Sequence, residues 1–207
     1  MTGRVIFVTR RQSCGEDFLA RIARLAAARP EAILLREKDL GPEDYENLAR
    51  SCRDICAAYG AALILHSHAA AARRLGVGAL HLPMTMLPPR RDSLPGIARI
   101  GCSVHSRDEA VRAEDWGAAY LIAGHIFATD SKAGRPPRGV DFLADVCRSV
   151  SIPVFAIGGL TPERMPAILN AGAAGACVMS QAMTAADPAV LLSALAGRTG
   201  RPTSGSV

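Results

Sequence analysis

The stretch "IPVFAIGGLTPERMPAILNAGAAGACVMS", residues 152–180, decides how the rest of the chain is read. An apolar run ends in two glycines, a helix-like segment follows, and a second apolar run closes the unit. Within the middle segment Thr161 reads as a helix N-cap, Pro162 as the first helical residue and Gly172 as the residue just past the end. Neither flanking run alternates cleanly between apolar and polar. That is the pattern of strands in a parallel sheet covered by helices.

The same alternation runs along the whole chain. Strand-like runs occur at 4–9 "RVIFVT", 32–38 "AILLREK", 62–67 "ALILHS", 79–83 "ALHLP", 99–104 "RIGCSV" and 118–124 "AAYLIAG", and the two runs of the opening stretch bring the number to eight. Between them lie segments of helical spacing, one of them opened by the capping box "SRDE" at 106–109. The fourth crossover, "MTMLPPRRDSLPGIA", holds three prolines and is expected to be short or irregular. Eight β and α units in 207 residues predict a single (β/α)8 barrel over residues 1–197. The tail 198–207 is rich in Gly, Ser and Pro and is expected to be disordered. An open doubly wound sheet is the alternative. It would want a GxGxxG turn after the first strand, and "VTRRQSCGED" has none.

Bulk composition narrows the function. Aromatic residues make up 4% of the chain, and its 24 Lys and Arg residues are scattered, so the net charge of +5 reads as a solvated surface and not as a nucleic-acid site, and a phosphorylated small substrate fits the same charge. No run is long and apolar enough for a membrane span, and the N-terminus enters a strand with no signal peptide, so a cytoplasmic location is expected. Six cysteines without a CxxC pair read as free thiols.

In such a barrel ligands bind where the strands end. Gly158 and Gly159 close strand seven, where bare backbone N–H groups can approach an anion. In "VMSQAM", 178–183, strand eight runs into a short helix whose N-terminus favours negative charge. A phosphate site after strands seven and eight is therefore expected. Arg36 and Lys38 project to one side of strand two and can face an anionic ligand. Histidines recur at strand ends, at 66, 68, 81, 105 and 125. Five histidines at one face suggest zinc, but carboxylates are lacking near strands three and four, and no metal is expected. His81 and His105 read as packed, hydrogen-bonded core histidines. His125 is different, because "GHIFATDSK" surrounds it with hydroxyls, an acid and a lysine. Imidazole is the side chain suited to moving protons near neutral pH.

These strand ends, "LLREKD", "GCSVHS", "GHIFATDSKAG-PPRG" with one residue differing, "IPVFAIGG" and "GACVMS", resemble the thiamine phosphate synthase/TenI superfamily of small barrels over roughly residues 4–197. The resemblance implies two branches. Synthases join a pyrimidine diphosphate to a thiazole phosphate with Mg²⁺, held in part by an Asp ending strand three and another after strand four. This chain has Ser67 and Met86 at those places, and a histidine where synthases read Gly-Pro-Ile-Phe. The histidine resembles TenI-type thiazole tautomerases, which aromatise a carboxythiazole ethyl phosphate without a cofactor. Read residue by residue, the resemblance implies His125 as the acid/base. It implies Arg36, Lys38, Ser103, Thr129, Ser131 and Lys132 as substrate contacts, and Gly159, Met179 and Ser180 at the phosphate. The alternatives are a thiamine phosphate synthase and a non-catalytic thiazole- or thiamine phosphate-binding barrel. The expected partner is a small phosphorylated thiazole, with a homodimer as the expected assembly.

Overall fold

A computed structural model describes residues 3–197. The predicted tail, 198–207, lies outside the described residues. Eight strands close a parallel barrel in chain order: β1 (Arg4–Val8), β2 (Ala32–Leu35), β3 (Leu63–His66), β4 (Ala79–Pro83), β5 (Arg99–Val104), β6 (Tyr120–Gly124), β7 (Val154–Ile157) and β8 (Gly175–Val178). Register closes the ring, with β1 pairing β2 on one side and β8 on the other. The architecture is the (β/α)8 barrel that the alternation predicts.

The strands lack clean alternation because both of their faces are buried. Ile6, Val8, Ala32, Leu34, Ile64, Tyr120, Ile122, Phe155 and Cys177 fill the interior, while their neighbours Val5, Phe7, Ile33, Leu35 and Leu121 pack under the helices. The outer layer is α1 (Phe18–Ala27), α2 (Pro42–Tyr59), α3 (Ala69–Leu75), α4 (Arg107–Trp116), α5 (Gly139–Ser149), α6 (Met165–Asn170), α7 (Ser180–Thr184) and α8 (Pro188–Leu195). All six cysteines are free thiols.

Local chemistry sets the helix ends. Ser106 Oγ accepts the Glu109 N–H, as the capping box predicts, but the Glu109 carboxylate accepts from the N–H of His105, one residue earlier than the box requires. The proline-rich fourth crossover contains two 3-10 turns and no α-helix, Met84–Met86 and Arg91–Ser93. One expectation needs correction. Pro162 opens a 3-10 turn (Pro162–Arg164), and α6 starts only at Met165, with Pro166 in its first turn. Thr161 caps that turn without a side-chain hydrogen bond. A second proline four residues after the first has no N–H to donate, so the first turn cannot continue as α-helix through it.

Candidate active site

The C-terminal ends of the strands open into a cavity of about 440 Å³, joined to a second of about 340 Å³ through shared walls at Thr129, Ser131, Gly158 and Met179. The larger chamber is walled by side chains. Arg36 and Lys38 reach it from the end of β2, Ser103 from β5, and His125, Thr129, Ser131 and Lys132 from the end of β6 and its loop. The smaller is lined by Gly158, Gly159, Val178 and Ser180 together with Thr129, Asp130 and Arg164. Every site residue named from the sequence therefore lines one chamber or the other.

The large chamber is cationic. Burial, then the like charges of Arg36 and Lys132, lowers the pKa of Lys38, and burial is also the first cause of the lowering at Arg36. Among the described residues none of these three cations sits in an ion pair. Glu37 stands between Arg36 and Lys38 but is committed elsewhere. It is buried, accepts the Thr9 hydroxyl at 2.6 Å and the Arg11 N–H at 2.9 Å, and so pins the end of β2 to the end of β1. Thr9 Oγ1 in turn accepts the Arg36 N–H at 2.9 Å. Three unpaired cations around one chamber repel each other unless an anion joins them.

His125 sits at the rim, where the large chamber meets a side cavity bounded by Arg135 and Arg138. Its Nε2 lies 3.3 Å from the Arg135 carbonyl oxygen. A carbonyl can only accept, so Nε2 carries the proton and Nδ1 keeps a lone pair able to take one. The glycines that follow β7 seat this loop. A Cβ at Gly158 would come within 2.4 Å of the His125 Cβ, and one at Gly159 within 2.3 Å of the Ala128 oxygen. Both have positive φ, 102° and 62°. Ile126 and Phe127 donate their N–H groups to the oxygens of Ile157 and Gly158, which continues the β6–β7 pairing into the loop.

The other histidines divide. His66 and His81 form the chamber floor, 6% and 1% exposed, with ring centroids 5.9 Å apart. Burial, followed by nearby positive groups, pushes both down to about 3. His81 is packed and hydrogen-bonded as expected. His105 is not a core residue: it is exposed at the rim, and its Nδ1 donates to the Gly124 oxygen at 2.8 Å. The apolar neighbours that suggested burial belong to β5, and His105 lies one residue past that strand's end. His68 stacks on Tyr45 at 3.8 Å outside the chamber lining.

Among the described residues no cluster of three His, Cys, Asp or Glu side chains could hold a metal ion. The acids lining the large chamber are Glu37, already engaged, and Asp39, which accepts from Arg11 and Gln12 at 2.7 and 3.2 Å. Ser67 accepts or donates at His66 Nδ1, 2.8 Å away, and Met86 is 49% exposed. Mg²⁺ favours hard oxygen ligands, and this donor set does not fit it. Sequence reading missed three participants: the Glu37–Thr9 clasp, Arg164, and Tyr120 beneath His81. A lone acid between two basic residues was a visible sign of the first.

The family model described as thiamine monophosphate synthase (TMP-TENI) matches residues 5–182. The chain belongs to the thiamine monophosphate synthase (TMP-TENI) family. Among curated relatives of the TMP-TENI family, a putative thiamine-phosphate synthase from Geobacter sulfurreducens is 34% identical over 88% of this chain and 87% of its own length. A thiamine-phosphate synthase from Syntrophomonas wolfei is 34% identical over 84% of each. Among solved structures, the thiamine phosphate pyrophosphorylase from Pyrococcus furiosus superposes with a TM-score of 0.79, at 27% identity and 93% coverage of both chains. No helix among the described residues of this TMP-TENI chain is long and apolar enough to cross a membrane.

Proposed function

We propose that this chain is an enzyme of thiamine biosynthesis acting on a phosphorylated thiazole, and that its reaction is the cofactor-independent aromatisation of a carboxythiazole ethyl phosphate. The observation that carries the reading is His125. It stands at the rim of a cationic chamber with Nε2 tied to a carbonyl and Nδ1 free among the described residues. In the reaction the C–H bond at the ring carbon bearing the carboxylate breaks, and a C–H bond forms at the exocyclic carbon. The π electrons shift into the ring and nothing is oxidised. His125 takes the first proton on Nδ1 and returns a proton to the exocyclic carbon. Arg36, Lys38 and Lys132 hold the anionic substituents, and Ser103, Thr129 and Ser131 orient the ring. Gly159, Met179 and Ser180 border the chamber that takes the phosphate.

A second reading is favoured by the relatives, whose printed names are thiamine-phosphate synthase. In that chemistry a pyrimidine diphosphate is coupled to the thiazole phosphate. The resemblance associates it with Mg²⁺, which the oxygen donors here do not fit. One pair of assays separates the readings. Purified protein incubated with the non-aromatic thiazole phosphate is expected to accelerate aromatisation, followed by absorbance against the uncatalysed rate. The same protein with pyrimidine diphosphate, thiazole phosphate and excess Mg²⁺ is expected to give negligible thiamine phosphate. Robust coupling makes the chain a synthase.

A further inference from the structure

Three strands bring His81, Gly101 and Tyr120 into one row. His81 pairs in register with Gly101, and Gly101 with Tyr120. A Cβ at Gly101 would lie 2.0 Å from Cζ of Tyr120, so a glycine in β5 is what lets the phenol cross to the next strand but one. The Tyr120 hydroxyl thereby reaches Nδ1 of His81 at 3.1 Å, while Nε2 of the same ring meets Ser103 Oγ at 2.8 Å. Ser103 and His81 both line the large chamber. Tyr120, 2% exposed, does not, and its ring rests edge-on against Phe155.

The direction of these hydrogen bonds follows from counting protons. A neutral imidazole offers one N–H and one lone pair. His81 is neutral, because burial and the positive charge of Arg36 oppose a second proton. Among the described residues the Tyr120 hydroxyl has no hydrogen-bond partner except His81. Were Tyr120 to accept from Nδ1–H, its own proton would be buried with nothing to receive it, a costly arrangement. Tyr120 therefore donates, Nδ1 accepts, and Nε2–H donates to Ser103. The Ser103 hydroxyl proton is left free to turn into the chamber.

We propose that Tyr120 and His81 are positioning residues that set Ser103 as a hydrogen-bond donor, so that the ligand atom seated opposite Ser103 is a hydrogen-bond acceptor. The inference concerns polarity and holds for either reaction considered above.

Nitrogen-15 spectra of histidine-labelled protein test it without any turnover. The Nε2–H tautomer of His81 is expected from roughly pH 5 to 8. Tyr120→Phe keeps the ring on Phe155 and is expected to mix the two tautomers while the remaining resonances stay in place. An Nδ1–H tautomer in the unaltered protein, or an unchanged tautomer in Tyr120→Phe, overturns the proposal. Calorimetric titration with thiazole ethyl phosphate supplies the second readout. Ser103→Ala is expected to weaken binding about tenfold, and Tyr120→Phe about three- to tenfold, since only the fraction of molecules with Ser103 correctly turned can bind. The double variant is expected to bind no more weakly than Ser103→Ala alone, because Tyr120 acts only through that hydroxyl. Multiplied losses in the double variant, or no loss in either single one, overturn it.

Discussion

The floor and the rim of the chamber are furnished with the same side chain and treat it in opposite ways. On the floor, His66 and His81 are stacked and buried, with both pKa values driven down to about 3. At the rim, His105 and His125 each spend one ring nitrogen on a backbone carbonyl and, among the described residues, leave the other open. A histidine that cannot take a proton is a fixed hydrogen-bonding part, whereas one with a free nitrogen beside the cavity can exchange protons with a ligand. Residue type alone does not separate the two roles; the depth of the residue along its strand does.

The sharpest way to break this comparison is to remove the rim nitrogen. His125→Asn is expected to slow aromatisation by about 10²-fold or more while thiazole phosphate binding changes by no more than about threefold. Steady-state rates corrected for the uncatalysed reaction, with calorimetric affinities alongside, check it. Wild-type turnover in this variant would move the proton chemistry to another group, with His105 next in line.

The seat under the rim is tested by Gly158→Ala. The added Cβ meets His125 at 2.4 Å, and φ of 102° is strained for any residue but glycine. A loss of about 2–3 kcal/mol in urea unfolding is expected, together with reduced turnover because the His125 loop must shift.

The floor predicts a pH effect on stability. Folded His66 and His81 titrate near 3 against an ordinary value of 6.5. The unfolded chain therefore binds more protons than the folded one between those values, and stability falls as pH drops from about 6.5. Each histidine contributes a slope of about 1.4 kcal/mol per pH unit through that window. His81→Asn is expected to lose its share of the slope, as read from urea unfolding at several pH values. An unchanged slope would mean that His81 is protonated in the folded protein.

The smallest expected effect lies at the small chamber proposed to take the phosphate, which no histidine among the described residues lines. Arg164 lines that chamber while holding the Gly159 oxygen and stacking on Phe127. Arg164→Ala is expected to weaken inorganic phosphate binding only about two- to fivefold, the scale of an exposed charge. A loss beyond about a hundredfold would show that the side chain, and not the glycine backbone, carries this site.

Sequence reading reached far because the barrel's logic is local. Eight apolar runs, each followed by turn chemistry, specify eight strand ends, and strand ends are where a (β/α)8 barrel keeps its site. Arg36, Lys38, Gly159 and His125 were read from strand ends in that way, and Ser103, Thr129, Ser131, Lys132, Met179 and Ser180 from the family resemblance; all of them line one chamber or the other. His105 was misread because an apolar strand before a residue says nothing about whether that residue lies inside or just past the strand. Gly158 and Gly159 were read for their N–H groups, but their seating of the His125 loop depends on β6 lying alongside β7.

By itself, then, the sequence determined the strand count, the parallel class, the mouth at which the chemistry gathers and the side chains available there, because periodicity and turn residues act over a few positions. The closed ring decided the rest. It placed His81 beside a glycine and the glycine beside Tyr120, turned Glu37 away from the cations toward Thr9, and stacked two histidines deeply enough to keep them neutral. Those outcomes depend on register between strand positions fifteen or more residues apart, and on a dielectric environment that exists only once both faces of the sheet are buried.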